Sequence, residues 1–144
     1  MTAAPHTATV VSLTLAGAEA AVSAAKAEAA RRGLSVTIAV LDRAGHLVSL
    51  ARLDGIHIGT VAVATAKAKT AALYNRPTAA LSAGLAGGNT ALLTLPDLVA
   101  LPGGLPLAVD GALVGAIGVS GAAPDVDEAI AAAGVAGFTG GTSA

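Results

Sequence analysis

The chain contains no cysteine and no tryptophan, and only one tyrosine and one phenylalanine in 144 residues. Without cysteine there can be no disulfide and no thiolate metal site. With aromatics at 1%, the core must be built from Ala, Val, Leu and Ile. Such side chains bury little area each but let backbones approach closely. Charge is also scarce, at 12% of residues with a net of -1, which argues against a nucleic-acid partner. No basic residue precedes Lys26, a poor match to a secretory signal. The uncharged run from Pro77 to Pro96 is interrupted by Gly, Asn, Thr and Pro, so it does not read as a membrane span. These absences point to a cytoplasmic protein that engages neither membrane nor nucleic acid. HExxH, a phosphate loop, a nucleophile elbow and a spaced metal-ligand cluster are also missing.

What is present is apolar, at 54% of the chain, enough for one domain with one core. So few charges cannot cover a whole monomer surface, which predicts a homo-oligomer, a dimer or higher. The charges are also segregated. All 8 Lys and Arg lie between Lys26 and Arg76, and only Asp97, Asp110, Asp125, Asp127 and Glu128 follow. The two halves are expected to pair within the fold or across subunits.

Residues 1–8 read as a loose tail, 9–134 as the domain and 135–144 as a second tail. Apolar residues recur at steps of three and four from about Thr14 to Arg32, predicting a helix stopped by Gly33. Ser35–Leu41 and His46–Arg52 read as strands of a hairpin joined by the turn "DRAG". A second helix is predicted from about Ile56 to Tyr74, with Asp54 placed to cap it. Asn75 to Pro102 reads as short helical turns and loops. "GGLPLAV" and "ALVGAIGVSG" form another hairpin around Asp110-Gly111, a favoured two-residue turn. A last helix opens at Asp125 with Glu128 three residues on, a capping-box pattern, and is expected to end at Gly134. Two hairpins separated by helices predict an α+β layered domain, an antiparallel sheet flanked by helices. The glycines of "GALVGAIGVSG" (Gly111–Gly121) weaken a strand unless something must come close to its backbone.

Four segments occur in order: "IAVLDRAGHLVSLARLDG", "AKAKTAALYNRPT", "LPGGLPLAVDGALVGAIGVSG" and "DVDEAIAAAG". Together, from about Leu13 to Gly134, they resemble the GlcG/HbpS family, also seen as the C-terminal domain of PduO-type proteins. The resemblance implies a profilin-like fold, assembly into oligomers and, for several members, haem binding with roles in haem handling or redox sensing.

The residues suggest a small-molecule site near the start of the second helix. Arg52 ends a strand, Asp54 precedes the helix and His57 is expected in its first turn, where the helix dipole favours neutral imidazole. Arg52, His57 and free helix N–H groups would suit a small oxyanion or a haem propionate. Lys67, expected three turns on and about 15 Å away along the same helix, is a further ligand-binding candidate that only a ligand or another subunit could link to His57. "PGG", Pro102–Gly104, offers Gly103 and Gly104 as a loop with exposed N–H groups for an anion. If haem is the cofactor its iron needs an axial ligand, and His57 and His46 are the ordered candidates. Two other readings stay open. One is a cofactor-free enzyme, an isomerase, lyase or cyclase, with His57 and Asp54 moving a proton on a small oxygenated metabolite held by Arg52. The other is a non-catalytic oligomeric scaffold.

Overall fold

The computed structural model describes residues 4–141. The elements follow the order α1 (Leu15–Arg31), β1 (Thr37–Asp42), β2 (Leu47–Arg52), α2 (Gly59–Tyr74), α3 (Thr78–Ala86), a 3-10 turn (Thr90–Thr94), β3 (Gly104–Val109), β4 (Ala112–Ser120) and α4 (Pro124–Gly141). The four strands form one antiparallel sheet in the order β2-β1-β4-β3. Asp110 and Gly111 have φ of 50° and 80°, as a two-residue hairpin turn requires.

The sheet is covered on both faces, which is why β1 and β4 read as near-continuous apolar runs. On one face lie α1 and α4. Ala18, Ala21, Val22, Ala25 and Ala29 of α1 and Ile130, Ala131 and Phe138 of α4 pack on Ile38, Val40, Leu107, Val114, Ile117 and Val119. On the other face lies α2, with Ala64 and Ala68 against Ala39 and Leu41, and Ala71 and Ala72 against Ala116. The α1 start is capped by Thr14, whose Oγ1 accepts from Gly17 N–H at 3.0 Å. At its end Arg31 and Arg32 fold back on Glu28, at 2.8 and 3.0 Å. These hydrogen bonds, Arg31 first and Arg32 next, hold the Glu28 carboxyl below the usual carboxylate range.

Three strands supply a bed of small residues for α2. Ala39, Gly118 and Gly104 are register partners across β1, β4 and β3. A Cβ on Gly118 would overlap the Ala64 carbonyl oxygen and stand 2.6 Å from Ala68 N. A Cβ on Gly104 would overlap the Lys67 carbonyl oxygen. The helix backbone therefore rests on the sheet backbone, and this explains glycine within the strand.

Three expectations need correction. Asp54 does not cap α2: the helix starts at Gly59 behind Ile58 without a side-chain cap, so His57 precedes the helix. Gly134 does not end α4, and residues 135–141 are helical rather than a tail. Gly134 is a notch, since a Cβ there would overlap Ile117 Cδ1 and lie 3.1 Å from the Ala21 carbonyl oxygen. Residues 142–144 of the expected tail lie outside the described residues. Finally, Asp125 lies inside the first turn of α4, and Asp127 supplies the cap-like bond, its Oδ1 accepting from Ala122 N–H at 2.8 Å. Among the described residues, no helix is long and apolar enough to cross a membrane.

Candidate functional site

The residues singled out from the sequence fall into two groups. Lys67, Gly103 and Gly104 come together in the interior. Lys67 projects from α2 past the β3 end of the sheet, its Nζ donating to the Val119 carbonyl and to Asp127 Oδ2, both at 2.9 Å. The Lys67 and Asp127 side chains are only 4% and 3% exposed. Gly103 admits this ammonium: with φ at +126°, a Cβ there would lie 3.0 Å from Lys67 Nζ and 2.6 Å from the Val119 carbonyl oxygen. Gly104 N–H donates to Thr78 Oγ1 at 2.9 Å, and Gly103 O accepts from Val119 N–H at 2.9 Å. The "PGG" loop is thus not a nest of exposed N–H groups, because both glycines are buried. Lys67 forms a structural ion pair joining α2 on one face to α4 on the other. With Lys69–Asp97 at 3.5 Å, it is one of the pairs through which the basic first half meets the acidic second half.

The second group is exposed: Arg52 at the end of β2, then Asp54, His57 and Ile58 in the segment leading to α2. Ile58 is 75% exposed. Register decides what lies beneath. Arg52 pairs with Thr37, and Thr37 with Ser120, so the three share one row on the α2 face. Thr60, in the first turn of α2, comes down on this row. Its Oγ1 donates to the His57 carbonyl at 2.7 Å and lies 2.8 Å from Thr37 Oγ1. A hydroxyl has one proton, so Thr37 must donate in the second bond. The result is a buried relay, Thr37 to Thr60 to the His57 backbone, that ties the loop bearing His57 to the start of the inner strand β1. On the outer side Ser35 Oγ donates to the Asp54 carbonyl at 2.6 Å. Sequence reasoning missed Thr37, Thr60 and Ser120. The available signal was three hydroxyl residues in apolar runs, but only strand register puts them beside Arg52.

The relay carries a prediction. Thr60→Val keeps the shape but strands the Thr37 hydroxyl, both residues being at most 1% exposed. The expected cost is about 1–3 kcal/mol in urea unfolding, and Thr37→Val with Thr60→Val should cost less than the two singles summed. Strict additivity would mean the hydroxyls do not bond.

His46 stands apart. It lies at the other end of the first hairpin, its side chain 81% exposed and its Nδ1 3.9 Å from Asp42 Oδ2. Asp42 Oδ1 also accepts from His46 N–H at 3.0 Å and from Ala44 N–H at 2.9 Å, fixing the turn. Arg52 closes the strand that follows His46, six residues on and about 20 Å away, so His46 and Arg52 cannot serve one small ligand within one chain. Among the described residues no cluster of three or more His, Cys, Asp or Glu could hold a metal ion.

A four-stranded antiparallel sheet with two helices on one face and one long helix on the other is a profilin-like α+β domain. A family model described as "Haem degrading protein HbpS-like" matches residues 13–136, and the chain belongs to this GlcG/HbpS-like family. Protein GlcG of Escherichia coli (strain K12) is 42% identical over 103 residues, covering 72% of this chain and 77% of that protein. The crystal structure of HbpS superposes with a TM-score of 0.84 at 38% identity, covering 94% of this chain and 97% of that one. A PduOC:heme complex superposes with a TM-score of 0.79 at 26% identity, covering 88% and 95%.

Proposed function

We propose that this protein binds haem at its surface, with His57 as the axial ligand and Arg52 as the cation for a propionate, in haem handling or redox sensing. Membership in the HbpS-like family carries the reading, and the likeness to a haem complex supports it. The donor set fits. His57 offers an exposed imidazole, Ile58 beside it offers apolar surface to a porphyrin face, and Arg52 is an exposed guanidinium at the end of the adjoining strand. Bound haem would supply a redox-active iron. The chain's part is to hold the His57 backbone in place through the Thr60 bond and to anchor the anionic edge. A second subunit would cover the outer haem face, consistent with the sparse surface charge, and the compartment is the cytoplasm. A haem without this cover would remain wet, since aromatics are too few to wall a closed pocket.

Hemin titration followed by absorbance tests this reading. Wild type should saturate with a Soret shift, His57→Ala should lose it, and His46→Ala should keep it. Arg52→Ala should weaken binding about tenfold, the loss of one charge-assisted hydrogen bond. Saturation unchanged in His57→Ala would remove His57 as the ligand.

A further inference from the structure

A concavity lies on the opposite face of the sheet from α2. It opens between the residues leading into α1, the β3–β4 hairpin and the end of α4, with a volume of about 520 Å³. That is within the range of about 300–1,000 Å³ usual for small-molecule sites. Among the described residues, none of Arg52, His57, His46 or any other charged side chain lines it.

Its walls come from Leu13, Val109, Val114 and Phe138, the only phenylalanine of the chain and just 4% exposed. Ala16, Gly17 and Ala20 of α1 form the floor. Elsewhere the chain closes such gaps. At Gly134 and Gly137 the helices α1 and α4 meet so tightly that an added Cβ would overlap a neighbour. At Gly17 an added Cβ would press on Phe138 Cε2 at 3.1 Å, so the room left by small residues lies over Ala16 and Ala20. Val11 stands at the mouth, 53% exposed. An apolar hollow held open in an otherwise close-packed domain, and left partly wet, is stabilised when an apolar molecule fills it.

The polar groups define the head of that molecule. Thr14 Oγ1 already accepts from Gly17 N–H, so its own proton is left to donate to a ligand oxygen. Ser12 adds a second exposed hydroxyl. Among the described residues that line it there is no cation to neutralise a carboxylate or phosphate, and no carboxylate to hold an amine. We propose that this cavity binds a neutral aliphatic molecule with one oxygen-bearing end, of the class of a medium-chain alcohol.

Calorimetric titration of the full chain with 1-decanol tests this, with decanoate and decylammonium as charged controls. Wild type should bind decanol saturably, and each charged probe at least fivefold more weakly. Ala20→Phe, which fills the floor, and Val11→Asp, which charges the mouth, should each weaken decanol binding at least tenfold. Both should keep the wild-type hemin titration, because the site is separate from His57. Failure of wild type to saturate, or decanol binding as tight as wild type in both Ala20→Phe and Val11→Asp, would overturn the proposal. A fall in sedimenting mass in both variants, with no decanol binding by wild type, would make the hollow a contact between copies instead. Loss of hemin binding in both folded variants would overturn the separation of the two sites.

Discussion

Lys67→Met is expected to destabilise the protein by about 3–5 kcal/mol, the range for breaking a buried pair from one side. The Asp127 carboxylate would keep its bond from Ala122 N–H but lose the ammonium 2.9 Å from its other oxygen. The Val119 carbonyl would lose a donor as well. At a side-chain exposure of 3%, water cannot replace the lost ammonium for Asp127. In a domain of this size the melting temperature should fall by roughly 10–20 °C. The double variant Lys67→Met/Asp127→Leu is the informative partner, because it removes both charges. It should recover much of the loss, since a buried ion pair replaced by apolar residues is often close to neutral. Urea unfolding at neutral pH measures both. A cost below about 1 kcal/mol for the single variant would mean that the pair is hydrated in solution. The functional corollary is specific: the pair lies apart from His57, so a folded double variant should still titrate with hemin.

Gly118→Val should be the most damaging single substitution in the sheet. Valine is a good strand residue, and propensity alone favours the change. Packing opposes it. The first carbon of the new side chain would already overlap the Ala64 carbonyl oxygen, and Ala68 N stands at 2.6 Å. Both obstacles are helix backbone, which cannot turn aside as a side chain can. The helix α2 would have to lift from the sheet, exposing Ala64 and Ala68, both now fully buried. Overpacking usually costs about 1–3 kcal/mol. With helix backbone at both points of the clash, about 3 kcal/mol or more is expected, seen as a lower urea midpoint and loss of soluble protein. Gly59→Ala is the matched control. It opens the same helix, its Cβ would meet only His57 Cδ2 at 3.8 Å, and its stability should be unchanged or slightly raised. Equal effects at positions 59 and 118 would show that glycine entropy, and not the helix–sheet approach, sets the cost.

Much of the architecture is legible in the chain. The β-branched run at 35–41, the Asp110-Gly111 turn and the alanine spacing in α1 each carry a local physical signal, and the structure follows them to within a few residues. The failures share one cause. Gly134 has the look of a helix stop because glycine often is one, yet it sits inside α4 where α1 and Ile117 press against it. Asp54 has the look of a cap, but α2 starts later because Ile56 packs against Gly121, where a Cβ would meet Ile56 Cδ1 at 2.8 Å. In both cases a long-range contact overrides a local preference.

The candidate sites divide the same way. Arg52, Asp54 and His57 are neighbours in sequence, so their grouping was visible there. The Thr37–Thr60 relay needs β1 and α2 brought together across 23 residues. The Lys67–Asp127 pair spans 60 residues, and nothing in the spacing of the two identifies them as partners. By itself the sequence determined the family, the α+β class, the alanine-rich core and the absence of thiol chemistry, because each depends on residue type and local pattern. Only the tertiary structure decided that Lys67 is spent on Asp127, that Gly103 and Gly104 are packing surfaces, and that a hollow remains beside Phe138. Burial and partnership are properties of what the rest of the chain brings to a residue, and free energy at an ionisable or glycine position is set there.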